Sequence, residues 1–251
     1  MDSGLDVRKR LMELSEKAVR ENRYVFTDFL SISQLSVYYE MERQFKNSGS
    51  YAFGGIPECE RCVVRFGSEQ ELGYEQPFPI ALLKISPVNK KFTDKLTHRD
   101  YLGSIIGLGL EREKLGDIIV VDTSAYIFVI DAVAEYIIQN LLYVKHTHVN
   151  VELCDECPEN LRPELAEENI IISSNRIDAV IAAVYNMSRN VADKTISEGK
   201  VFVNGIQISK DTRTLKEGEI VSVRGKGRFI FDGEEGITRK ERLYVRIRRY
   251  V

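Results

Sequence analysis

A chain of 251 residues that is 43% hydrophobic and 29% charged, with six prolines and no tryptophan, has the composition of a globular protein with a substantial core. Its most apolar region, DIIVVDTSAYIFVIDAVAEYIIQNLLYV, is cut by Asp122, Asp131 and Glu135, which excludes a membrane span there. The net charge of −3 argues against a polyanion binder, but the charge is uneven: residues 170–251 carry 16 Lys and Arg against 10 Asp and Glu, and residues 1–169 carry 19 against 28. An acidic body with a basic last third points to a polyanionic partner for that third. The charged N-terminus, MDSGLDVRKRLMELSEK, lacks the apolar run of a signal peptide, and four cysteines fit a reducing compartment, so a cytoplasmic location is expected.

In chain order, Leu5, Leu11, Leu14 and Ala18 suit one face of a first helix. FTDFLSISQLSVYYEMERQF predicts further helix with Thr27 or Ser31 as the cap. A turn-rich stretch with Gly54-Gly55 and a short CVVRF strand follow. Residues 1–77 therefore read as an N-terminal helical and α/β region. From residue 78 the pattern is regular: strand (FPIALLKIS), helix from Thr97, two strands (DIIVVD and SAYIFVI), helix from Asp131, and strand (HTHVNVEL). That β-α-β-β-α-β order predicts a ferredoxin-like domain over 78–153, with four antiparallel strands, two helices on one face and an open face that could hold RNA. The acidic stretch 154–169, with two prolines, reads as a linker. Residues 170–251 then form a small domain of a short strand, two helices, a hairpin and strands, closing on ERLYVRIRRYV. The fold class is α+β.

The segment SRNVADKTISEGKVFVNG carries the chemistry. Ser188 is a good N-cap. Arg189 falls in the first helical turn, where free N–H groups and the helix dipole favour an anion and a guanidinium adds bidentate contact. Lys194 follows, Gly199 ends the helix, and Asn204-Gly205 turns a hairpin. Downstream, RGKGR spaces Arg224, Lys226 and Arg228 at period two, which in a strand puts all three on one face.

Residues 175–228 resemble the S-four RNA-binding domain, named after the fourth protein of the small ribosomal subunit. The resemblance rests on Arg176-Ile177-Asp178, Ser188-Arg189, Ala192, Ile196, Gly199, Val201, Val203-Asn204-Gly205 and Glu217-Gly218-Glu219-Ile220. It implies that Arg176, Ser188, Arg189, Asn190, Lys194 and Lys200 contact an RNA backbone, that Asp178 orients a neighbour, and that Ile177, Val180, Ile181 and Val184 are core. Over residues 25–231 the chain is also similar to the YlmH-type family of bacterial ribosome-associated proteins, through Phe53-Gly54-Gly55, Glu60-Arg61, THRDYLGSIIGLGLEREKLGDI and the RGKGR stretch. That resemblance implies binding to the large ribosomal subunit carrying a stalled peptidyl-tRNA, with rRNA and tRNA contacts and no chemistry.

Within the Thr97–Ile118 block, His98 and Arg99 open a helix whose Gly103, Gly107 and Gly109 would permit close approach of a backbone, with Arg112 and Lys114 at its C-terminal end. His98 and Arg99 are further RNA-contact candidates. The two C-x-x-C pairs, Cys59/Cys62 and Cys154/Cys157, could form a structural zinc site only if the fold joins them across a long gap. No phosphate loop, H-E-x-x-H or Ser/His/Asp pattern is present. The expectation is a monomeric, non-catalytic RNA-binding protein without cofactor or membrane partner, its partners being large-subunit rRNA and tRNA. The alternatives are an RNA-modifying enzyme of the pseudouridine synthase type and a zinc- or redox-dependent interaction protein linked to cell division.

Overall fold

A computed structural model of the chain describes residues 4–45, 47–89, 95–158, 161–162 and 164–250. The chain divides into two units, Met1–Arg162 and Pro163–Val251.

The first unit opens with α1 (Gly4–Glu21), which buries Val7, Leu11 and Ala18. Leu5 was expected on that face but is 78% exposed, because Val7 takes the inward position two residues later. After β1 (Val25–Phe26) comes α2 (Ile32–Met41). Ser31 caps α2 in a reciprocal box: its amide donates to Gln34 Oε1 at 2.8 Å, and its hydroxyl accepts from the Gln34 amide. Thr27, the other cap candidate, instead accepts from the buried Val64 amide at 2.9 Å. The strands β2 (Ser50–Phe53) and β3 (Val63–Phe66) complete a three-stranded sheet of order β1-β3-β2, and one helical turn, α3 (Glu69–Leu72), follows. Tyr38, Phe45 and Phe66 centre this lobe's core.

The same unit continues through β4 (Ile80–Pro87), α4 (His98–Ile106), β5 (Leu115–Val121), β6 (Ser124–Ile130), α5 (Asp131–Asn140), β7 (Tyr143–Val144) and β8 (Thr147–Cys154). Sheet order is β5-β6-β4-β8-β7, with every pair antiparallel. Apart from the short β7, this is the split β-α-β-β-α-β arrangement. Tyr101 and Ile105 of α4 and Ala134 and Ile137 of α5 pack with Leu83, Ile85, Ile127 and Val129 of the sheet. Alternation sends Leu82, Tyr126, Phe128 and Ile130 to the other face, into a cluster with Phe29, Ile56 and Val63. The face expected to be open is therefore covered in part by the chain's own N-terminal lobe. That seam explains two sequence features. Gly55 adopts φ +111° with the Phe128 ring against its Cα. Arg61 is a structural clamp: its guanidinium donates to the carbonyls of Leu115, Phe29 and Arg112 at 2.9–3.2 Å, while the Glu60 and Arg61 amides donate to Asp117. Desolvation there lowers the Arg61 pKa to about 10.

The second unit runs β9 (Leu165–Ile172), α6 (Ile177–Val184), α7 (Arg189–Ser197), β10 (Val201–Val203), β11 (Ile206–Gln207), β12 (Glu219–Val223), β13 (Gly227–Ile237) and β14 (Leu243–Tyr250). Its six-stranded sheet has order β11-β10-β12-β13-β14-β9. Ile177, Val180, Ile181 and Val184 of α6 join Ala192 and Ile196 of α7 in one core with Val201, Val221, Phe229, Phe231 and Val245. Residues 165–169, within the stretch read as linker, are strand: their register against β14 sets Glu167 opposite Arg248, and Glu168 pairs with Arg249 at 3.0 Å. The acidic charge that suggested a solvated linker answers arginines on the adjacent strand.

Candidate nucleic-acid interface

Two neighbourhoods of the second unit hold the cations singled out by sequence. The first is the start of α7. Arg176 precedes α6 with extended backbone, and Ser188 caps α7, its hydroxyl accepting from the Val191 amide at 3.3 Å. Asp178 lies between them with a side chain only 3% exposed. Its carboxylate accepts from Arg176 Nε at 3.0 Å and Nη2 at 3.3 Å, and lies 3.5 Å from Arg189 Nε. Arg176 also donates to Asp211 at 3.0 Å. The hydrogen bond to Asp178 raises the Arg176 pKa, so this guanidinium stays charged. Arg189 is half exposed and pairs with Asp178, whereas sequence spacing alone offers Asp193 as its partner. Asp178, Asp193 and Asp211 place carboxylate oxygens within 4.8 Å of one another, and Arg176 already supplies a cation to two of them. Asn190 is exposed on the first turn.

The second neighbourhood surrounds the β12–β13 connection. RGKGR is not a strand: Arg224-Gly225-Lys226 is the turn, with Gly225 at φ +81° and Gly227 at φ +112°, and strand resumes only at Gly227. Glycines that tolerate left-handed backbone made the period-two reading fail, so the three cations do not share a strand face. The turn instead carries Arg224 and Lys226 outward. The Arg224 amide donates to the Lys200 carbonyl at 2.8 Å, which sets those two residues side by side. Lys200 Nζ contacts Glu198 at 2.6 Å and Lys194 lies 3.9 Å from the same carboxylate, whose pKa is lowered chiefly by its bond to Lys200. Arg228 lies over the Tyr250 ring at 4.2 Å. Tyr185 donates to the Gly227 carbonyl at 3.0 Å and carries Arg249 over its ring at 5.6 Å, which ties the turn to the end of α6. Arg249, Tyr185 and Tyr250 were not among the sequence candidates. The arginine-rich final strand was their signal, but its register was not readable.

His98 and Arg99 lie in the first unit, at the start of α4. Desolvation, then the charge of Arg112, lowers the His98 pKa, which favours a neutral imidazole. The helix predicted onward from Thr97 ends at Ile106, and Gly103 faces open space rather than the sheet. Arg112 and Lys114 are not helix-end cations: they lie in a separate 3₁₀ turn and point inward, Arg112 to the Leu115 and Gly116 carbonyls and Lys114 to Asp28 at 2.8 Å. The cysteine pairs do not form a tetrathiolate. Cys62 is buried in the core that holds Tyr38, Cys59 and Cys154 pack against a different cluster, and Cys157 is exposed. Among the described residues no three cysteine sulfurs lie within 4.8 Å of one another.

Residues 74–156 match the family model described as "Putative RNA-binding domain in YlmH". The chain is 29% identical over 231 residues to the ribosome-associated protein quality control protein P2 of Bacillus subtilis (strain 168), across 90% of this chain and 88% of that one. Both findings make the chain similar to YlmH-type RNA-binding proteins. A solved structure, the cell division protein ylmH from Streptococcus pneumoniae, aligns with a TM-score of 0.48 at 23% identity, over 62% of this chain and 92% of that one. The YlmH-type match covers the β4–β8 domain, whereas the cationic neighbourhoods above lie beyond it in the second unit. Among the described residues no helix is long and apolar enough to cross a membrane.

Proposed function

We propose that the protein is a non-catalytic, cytoplasmic RNA-binding factor of the ribosome that acts on stalled translation, with large-subunit rRNA and tRNA as partners. The second unit is read as an S-four-type domain that grips phosphates. The observation that carries this reading is the buried Asp178, which pairs with Arg176 at the start of α6 and with Arg189 at the start of α7. There, helix N–H groups and two oriented guanidinium groups suit a phosphate. Lys200, Arg224, Lys226 and Arg228 add a second set of contacts, and His98 and Arg99 a third from the first unit. The similarity to a ribosome-associated quality-control protein along nine-tenths of the chain supports the ribosomal setting.

The test is sucrose-gradient co-sedimentation with ribosomal subunits at graded salt, wild type beside Arg189→Ala and Lys226→Ala/Arg228→Ala. Wild type is expected to travel with the large subunit at moderate salt and both variants to remain at the top, since phosphate contacts dominate such affinity. Wild type that stays unbound, or variants that bind equally well, would refute the reading.

A further inference from the structure

The first unit has a groove of about 660 Å³ whose chemistry is opposite to that of an RNA site. Phe53, Phe78 and Phe128 form its apolar floor. The floor is preformed: the Phe78 ring lies 5.4 Å from that of Phe53 and 5.7 Å from that of Phe26, with the Arg65 guanidinium stacked on it at 5.2 Å. Leu153 forms a wall and is 56% exposed, a large apolar side chain left in water. Asp131, Glu135 and Asp155 supply the rim; no lysine, arginine or histidine is among the described lining residues, and the cations nearby are Arg65 behind the Phe78 ring and Lys84 and Arg162 toward Cys154 and Cys157. Desolvation raises the Asp131 pKa.

An aromatic slot under a carboxylate rim repels phosphate and welcomes an apolar side chain flanked by positive charge. We propose that this groove docks a cationic peptide segment of a partner protein, with bulky apolar side chains seated on Phe53, Phe78 and Phe128 and flanking lysines or arginines answered by Asp131, Glu135 and Asp155. The volume suits a few side chains rather than a whole helix face. Most of the groove lies within residues 74–156, which match the putative RNA-binding domain, but it shares no residue with the RNA contacts proposed above.

The test uses the full chain and three fluorescein-labelled peptides: KKLLFKK, KKSSSKK with the same charge and no apolar anchor, and EELLFEE with the anchor and the opposite charge. In anisotropy titrations at about 0.1 M salt, KKLLFKK is expected to bind at least about tenfold tighter than either control. Glu135→Lys and Leu153→Lys, both at exposed positions, are expected to weaken it about tenfold without changing the thermal melt. Bound KKLLFKK should also slow alkylation of the exposed Cys157, which lines the groove. Equal binding of KKSSSKK, unchanged affinity in both variants, or a groove variant that loses RNA while keeping the peptide would overturn the proposal.

Discussion

Asp178 shows how one buried charge can govern two exposed ones. Its carboxylate is nearly out of water and meets both Arg176 and Arg189. Asp178→Asn keeps the volume and removes a negative charge. If Asp178 positions the arginines, RNA affinity falls about fivefold although the net charge becomes more favourable. If only total charge matters, affinity rises. Anisotropy with a structured RNA at several salt concentrations separates the two, with Arg189→Ala expected to flatten the log–log salt slope by about one. Gly55 makes the corresponding case for the core. A Cβ there would stand 2.2 Å from the Phe128 ring on a backbone at φ +111°. Gly55→Ala is expected to destabilise the first unit by about 3 kcal/mol, read as a lowered denaturant midpoint. Sequence alone singles out both residues, Asp178 as an orienting neighbour and Gly54-Gly55 as part of a family pattern. It does not show that Phe128, more than seventy residues on, is what Gly55 must avoid.

At the scale of elements, α4 carries a pH-sensitive cap. Asp100 takes a bond from Lys145 at 2.8 Å and closes the helix start by accepting from the Thr97 amide at 2.8 Å. The Lys145 contact, then the Thr97 bonds, lower its pKa to about 2 from 3.8. The depressed value means the stabilisation is complete above about pH 4 and disappears as pH falls toward 2, where the native carboxylate is protonated. In circular-dichroism melts, Asp100→Asn should lower the neutral-pH melting temperature and lessen its fall between about pH 4 and 2. A wild-type slope retained in full by the variant would assign that acid sensitivity elsewhere. Elements with strong periodicity or a cap, such as α2, α5 and β6, are legible in the sequence. RGKGR and Leu165–Asn169 are not. In the first, the intervening glycines are turn residues; in the second, the glutamates match arginines about eighty positions away. Local pattern cannot report a partner that only the register supplies.

For the whole molecule, the division near Arg162 implies two separately folding bodies, since each unit has its own core. Fragments 1–162 and 163–251 are expected to give cooperative thermal transitions when produced separately, and a fragment without one would show that its core needs the other. Within the second unit, β13 and its two neighbours β12 and β14 are joined by short connections, whereas β9 pairs with β14 across the whole length of the unit, from Leu165 against Tyr250 to Ile172 against Leu243. Local hairpins close faster than pairings of large sequence separation. During folding, then, β14 spends time as an unpaired edge, and such an edge invites another chain to add to it. In the β13–β14 hairpin Arg246 and Arg248 already pair with Glu235 and Asp232, so Arg249 is the charge left to discourage that encounter until Glu168 arrives with the correct strand. Arg249 is thereby expected to act as a gatekeeper against aggregation on the folding path.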